Sequence, residues 1–366
     1  MAIDLNLEHV PQPPKKKDYR IGVMGAGFIV RDCHLVAYRN AGYNVVAITS
    51  ASPEETRAVA RLRGVPKVYD TNAELLADAS IEVLDIAVPP NFQLPIVREA
   101  VKQKHLRGIL AQKPLATNYL EAREIVQLCA EAGVTLAVNQ NMRYDQSIRA
   151  LKTVLKRGYL GEPVLGTIEM RAIPHWQSWI PDLGKVTLLN MSIHHLDCFR
   201  FLFGDPQSVY VSARPDPRTK FEHRDGIVLY ILEYANGFRA AAWDDVWAGP
   251  AREGGAPDTY IKWRVEGTEG LAQGTIGWPS YPNVTPSTID FTTKQQPNTW
   301  FAPRWREVWF PDAFEGTMGQ LFDSLTEGTE PAISGRDNLR TMALLDACYK
   351  SLAEHRPVEI EEILRT

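Results

Sequence analysis

The chain has 366 residues, 45% of them hydrophobic and 23% charged, enough to bury a large core and more in keeping with two domains than with one. A formal net charge of -4 with interspersed signs gives none of the broad basic field that nucleic-acid phosphates require, and four isolated cysteines without a CxxC pair argue for a reduced, cytoplasmic setting. No stretch offers about 20 uninterrupted apolar residues for a membrane span, so neither nucleic acid nor membrane is expected as a partner.

Residues 1–18 contain no apolar run resembling a signal peptide, and their Pro and Lys content suggests a flexible or docked arm. From Tyr19 the texture changes. "YRIGVMGAG", "YNVVAITS" and "IEVLDIAVPP" read as buried strands, separated by the helix-like "SPEETRAVARLRG" and "LPIVREAVKQ". Such alternation predicts a parallel sheet covered on both faces. "LRGILAQKPLA" and "GVTLAVNQNMR" continue it, with Gly133 as the C-cap of the helix between them, so the first domain spans 19–142.

Residues 143–366 predict an α+β domain with a large, mainly antiparallel open sheet. Its strands are expected in "PVLGTIEMRAI", "SVYVSARP", "GIVLYILEYANGFRAAAWDDV" and "YIKWRVEGTEGLAQGTI", with "ANG" as a hairpin turn. Asp244 and Asp245, after Trp243, are expected at a strand end in solvent. A helix through "LLNMSIHHLDCFR" interrupts the strands early. Another, "SGRDNLRTMALLDACYKSLAEH", nearly closes the chain and is expected to pack back on the first domain.

Three places carry chemistry. In "GVMGAGFIV", Gly25 and Gly27 follow a strand and precede a helix, where glycines allow a tight turn and let backbone N–H groups approach a pyrophosphate. Val30 stands at the third glycine position of that pattern. The second strand ends in Thr49, Ser50 and Ser52 with no acidic residue for ribose hydroxyls and no arginine beside Ser50 for a 2′-phosphate, which leaves NADP open beside a lean to NAD. Lys113 lies just past the end of a strand with Pro114 fixing the turn, the edge at which ligands bind open α/β sheets.

The third is the helix with adjacent His194 and His195. Asn190, His194 and Asp197 fall at i, i+4 and i+7, a polar line on an otherwise apolar helix, whereas His195 rides an apolar stripe. His194 is therefore the candidate for chemistry and His195 a packing residue or a support behind it. No HExxH-type spacing supports a metal.

Together these segments resemble the Gfo/Idh/MocA oxidoreductase family over nearly all of the chain after the arm. "GAGFIVRDCHL" is similar to its nucleotide loop, "AQKPLAT" to its Glu-Lys-Pro signature with Gln112 for glutamate, and "NMSIHHLD" to its Asp-x-Gly-x-His-x-x-Asp helix with Asn190 for the first aspartate. "VNQNMRY" and "GYLGEPV" resemble its crossover between domains. The resemblance implies an NAD(P)-dependent dehydrogenase for a secondary hydroxyl of a sugar, glycoside or cyclitol, working as a homo-oligomer, a dimer or tetramer. Phe28, Ile29, Ser50, Pro89, Asn91 and Lys113 would join Gly25 and Gly27 around the cofactor. Lys113, His194 and Asn190 would be catalytic, with Arg143, Tyr144, His175 and Trp176 as further substrate contacts. Trp176 and Trp179 equally fit packing at a sheet edge. The neutral Asn190 and Gln112 also admit a non-catalytic protein that binds dinucleotide or sugar and signals through a partner.

Overall fold

Six parallel strands form the first sheet: β1 (Arg20–Met24), β2 (Asn44–Thr49), β3 (Lys67–Val68), β4 (Val83–Ile86), β5 (Gly108–Gln112) and β6 (Thr135–Asn139), in the order β3-β2-β1-β4-β5-β6. The computed structural model describes residues 3–171, 179–246, 259–277 and 285–366, so His175 and Trp176 lie outside the described residues. β4 and β5 are buried along their whole length, which is why they read as continuous apolar runs rather than alternating ones.

Five helices connect these strands: α1 (Leu35–Ala41), α2 (Pro53–Arg63), α3 (Asn72–Ala77), α4 (Pro90–Ala100) and α5 (Tyr119–Ala132). Local chemistry sets their ends. Ser52 and Asn118 accept the N–H of Glu55 and Glu121, Thr71 and Glu74 form a reciprocal capping box, and Gly64 and Gly133 close α2 and α5 in the left-handed conformation. A helix absent from the sequence reading, Ala313–Glu327, belongs to the same unit and lays Phe322 on Tyr19, ring centroids 5.0 Å apart. The unit comprises Pro11–Asn141 and Phe310–Met342.

The second unit, Met1–Val10, Met142–Trp309 and Ala343–Thr366, is built on nine strands. They are β7 (Pro163–Arg171), β8 (Ser208–Arg214), β9 (Ile227–Glu233), β10 (Arg239–Asp245), β11 (Tyr260–Gly267), β12 (Gly270–Thr275), β13 (Thr288–Thr293), β14 (Gln296–Phe301) and β15 (Val358–Glu359). Their order is β14-β13-β12-β11-β7-β10-β9-β8-β15; β7 and β10 pair in parallel and the other described pairs are antiparallel. The expected class is borne out, an α/β Rossmann domain with an α+β domain on a mainly antiparallel sheet. The "ANG" turn joins β9 to β10, with Gly237 at φ +89.

Burial in this sheet alternates. Val228, Tyr230 and Leu232 of β9 are buried, and Leu229 and Ile231 between them are exposed, so one face is covered and one open. The covered face carries α6 (Gln146–Lys156), whose Ser147 Oγ accepts the Trp263 indole N–H at 3.1 Å, and α8 (Ile193–Phe203), with α7 (Trp179–Leu183) preceding it in the chain.

Candidate active site

In the first unit, the strand order reverses between β1 and β4, the switch point where this sheet architecture takes a nucleotide. Gly25 ends β1 at φ +128, and a Cβ there would stand 2.4 Å from the Ala87 carbonyl oxygen; only glycine fits. At Gly27 a Cβ would meet nothing within 4 Å, which leaves the backbone open to close approach. The chain then winds Ile29–His34 as a π-helix that runs into α1, and Phe28 caps it with no side-chain hydrogen bond. Pro89 likewise starts α4 without a side-chain cap, and Asn91 is exposed in its first turn. Two uncapped helix starts and an open glycine at the switch point fit a pyrophosphate. These positions gather the predicted Gly25, Gly27, Phe28, Ile29, Pro89 and Asn91 at the carboxyl edge of one sheet. Ser50, at the end of β2, spends its hydroxyl on Thr56 Oγ1 (2.6 Å) and the Ser52 N–H (3.2 Å).

Lys113 stands half-buried past β5 on the same edge. Gln93 Nε2 donates to the carbonyls of Gln112 and Pro114, both at 2.7 Å, and so holds the turn on either side of the lysine. Burial lowers the Lys113 ammonium from 10.5 to about 7. The unfolded chain therefore carries a proton that the folded chain lacks between those values, and stability rises with pH across that window. The thermal midpoint of the parent is expected to gain on that of a Lys113→Met variant between pH 7 and 10. Paired melts showing a constant gap over that range would assign Lys113 an ordinary pKa.

The second unit holds the histidines. Leu188–Ser192 is a π-helix rather than the start of a regular α-helix, and Ile193 N–H reaches back to Leu188 O. This corrects the uniform 100° step behind the expected polar line. Asp197 turns instead to Arg143, which grips it in a bidentate pair at 2.5 and 2.6 Å with both side chains buried. Tyr144, next to Arg143, is buried as well. His194 is 4% exposed and stands edge-on to Trp309 at 5.7 Å, whereas Asn190 is half-buried in the widened turn and Trp179 is half-buried at the start of α7.

Two carboxylates anchor this helix. Asp244, expected in solvent, is fully buried: it accepts the Ser192 hydroxyl and lies 3.0 Å from His195 Nδ1. The reason is register, because Asp244 follows Ala240 and Ala242 on the covered face of β10. Asp245 is also buried and is paired with Arg218 at 2.8 Å. Of the two roles expected of His195, packing or support, it takes the second, since it ties α8 to β10. Asp225, which the sequence reading missed, accepts the Val186 and Leu188 N–H groups at 3.0 and 2.8 Å and caps the π-turn from outside the helix. Nothing in its local sequence, "HRDGIV", distinguishes it from a loop aspartate.

A strand-loop-helix nucleotide edge in one unit, and in the other a histidine helix pinned to a mainly antiparallel sheet, define a two-domain dinucleotide oxidoreductase. Residues 19–140 match the oxidoreductase family with the NAD-binding Rossmann fold, and 152–360 match the C-terminal alpha/beta domain of that family. The chain belongs to the Gfo/Idh/MocA family and is an NAD(P)-dependent oxidoreductase.

Among its relatives, the D-apiose dehydrogenase of Paraburkholderia graminis is 28% identical, over 95% of this chain and 91% of that protein. The myo-inositol 2-dehydrogenase of Thermotoga maritima is 25% identical, over 94% and 99%. An Agrobacterium radiobacter oxidoreductase solved with NAD+, L-tartaric acid and magnesium has a TM-score of 0.78 at 24% identity, over 94% of this chain and 99% of that one. Levoglucosan dehydrogenase solved with NADH and L-sorbose shares the fold with a TM-score of 0.78 at 18% identity, over the same shares. No described helix is long and apolar enough to cross a membrane. Among the described residues, no group of three His, Cys, Asp or Glu side chains is placed to hold a metal ion.

Proposed function

We propose that this protein oxidises a secondary hydroxyl of a sugar, glycoside or cyclitol, with C3 of a glucoside as the favoured position. The observation that carries the reading is the place of Lys113, just past β5 at the carboxyl edge of the nucleotide sheet in a turn that Gln93 holds on both sides, and burial that lowers its ammonium to about 7 agrees with a functional rather than a solvated lysine. The names of the curated relatives, which act on apiose and inositols, support the substrate class.

When bound, the nicotinamide supplies the acceptor for the hydrogen leaving the carbinol carbon. Gly25, Gly27 and the starts of the Phe28 and Pro89 helices would hold the dinucleotide. His194 takes the hydroxyl proton as general base, and Lys113 donates a hydrogen bond to the oxygen as negative charge develops on it. Asn190 hydrogen-bonds substrate where a carboxylate would repel a growing alkoxide. The neutral Ser50 end of β2, which lacks a basic partner for a 2′-phosphate, favours NAD over NADP.

The purified chain is to be screened by absorbance at 340 nm with NAD and NADP against apiose, myo-inositol, glucose and aryl glucosides. Reduction of NAD by a member of the panel supports the reading. Reduction by none of them, with dinucleotide bound, would remove the proposed substrate class.

The open face of the nine-stranded sheet carries Tyr210, Leu229 and Ile231 around a groove of about 300 Å³, an apolar patch that suits a second copy of this chain. Sedimentation velocity is expected to give a dimer or larger, and Leu229→Asp with Ile231→Lys to give a monomer. A monomeric parent would contradict the homo-oligomer.

A further inference from the structure

Behind the Lys113 turn lies a polar cluster that cofactor binding does not require. Asp85 of β4, His34 at the end of the π-wound segment and Asn139 of β6 have no exposed surface, and Tyr38 of α1 is likewise fully buried. His34 Nδ1 lies 2.6 Å from Asp85 Oδ2, and the Tyr38 hydroxyl donates to the same oxygen at 2.9 Å. On the other side of the ring, Nε2 faces Asn139 Nδ2 at 2.9 Å and Gln112 Nε2 at 3.3 Å. Phe314 covers the ring at 5.0 Å between centroids.

The Gln112 amide, whose Oε1 accepts the Lys113 N–H and whose Nε2 therefore faces the ring, fixes the arrangement here. A carboxylate accepts and an amide nitrogen donates, so the imidazole is the neutral tautomer with its proton on Nδ1 and its lone pair on Nε2. That lone pair draws the nitrogen of Gln112 inward, which turns Gln112 Oε1 outward to accept the Lys113 N–H at 2.9 Å. A glutamate at 112 would set an acceptor against the ring's lone pair.

We infer that His34 is a positioning residue for Lys113. Asp85 sets the tautomer of His34, His34 sets the orientation of the Gln112 amide, and Gln112 fixes the backbone of the lysine. The inference rests on the role given to Lys113 above. It also accounts for glutamine in place of the family's glutamate, since Gln112 and a neutral His34 are a matched pair.

The test reverses the polarity of the relay. Asp85→Asn replaces a carboxylate that can only accept by an amide that can either accept from Nδ1–H, as in the parent, or donate to Nδ1, which permits the ring proton on Nε2 without imposing it. Gln112→Glu alone opposes two acceptors. The two substitutions together restore a donor to every acceptor in the opposite sense, and Asn139 can follow by flipping, because its Oδ1 makes no hydrogen bond. Gln112→Glu alone is expected to lower kcat about 10- to 100-fold with KM for NAD little changed, Asp85→Asn alone to lower it by less than about 5-fold, and the double variant to recover to within about 3-fold of the parent.

A double variant as poor as the product of the singles would overturn the relay. Histidine ¹⁵N NMR of the full chain, without cofactor, reads the tautomer directly, with His34 assigned by its loss in His34→Gln. A neutral Nδ1–H ring is expected, and an Nε2–H or doubly protonated ring overturns the inference even if a variant fails to fold. Unchanged kcat in Lys113→Met would instead remove the role of the lysine, with the NMR result still deciding the tautomer.

Discussion

Replacement of His194 by glutamine is expected to lower kcat by about 10²- to 10⁴-fold, the usual contribution of a positioned general base. Glutamine is the informative choice because His194 is buried against Trp309, and a residue of similar reach avoids the cavity that alanine would leave. The thermal midpoint and the affinity for NAD should stay close to those of the parent. Without an imidazole to take the proton, the residual rate should climb with pH as hydroxide takes over the role. Steady-state NAD reduction across pH 6 to 10 checks all of this, and turnover equal to the parent's would end the assignment of His194 as base.

Arg143→Ala carries the largest expected cost in stability, about 3–5 kcal/mol, because it strands the buried Asp197 carboxylate without its bidentate partner. The Arg200 guanidinium, 3.9 Å from the same carboxylate, is too far to replace the fork. Arg143→Lys keeps the charge but not the planar pair, so its loss should be intermediate. Urea unfolding of the three proteins measures the effect. A loss under about 1 kcal/mol with a raised KM for the sugar would return Arg143 to the role of substrate contact that its position in the sequence suggested.

Where the sequence was legible, a single local rule set the answer. The β1 strand and its glycines could be read because Gly25 must adopt a positive φ where no side chain fits, and the continuous apolar runs of β4 and β5 announce burial on both faces. "ANG" marked its hairpin for the same reason. Asp244 was misplaced because a carboxylate after a tryptophan at a strand end looks solvated, and only the pairing of β10 between β7 and β9 shows that it points at Ser192 and His195. Asp225 could not have been found, since its partners are N–H groups almost 40 residues earlier in the chain. The helix Ala313–Glu327 was passed over because its face, including Phe314, Met318, Leu321 and Phe322, is needed by a sheet whose strands end at residue 139. The helix of the histidines was right in kind and wrong in pitch.

That pitch bears on how such a protein can be altered. Leu188–Ser192 spends one residue more on its turn than an α-helix would, so loss of a single residue there would let the segment close into regular hydrogen bonding with its flanks nearly in place, and would change which residue stands one turn before His194. Asn190 would leave its place while His194, anchored downstream through His195 and Asp244, stayed where it is. Length, and not only the identity of side chains, is therefore an axis along which specificity in this scaffold can drift: an indel exchanges the neighbour of the histidine in one step, where substitution would have to rebuild it residue by residue.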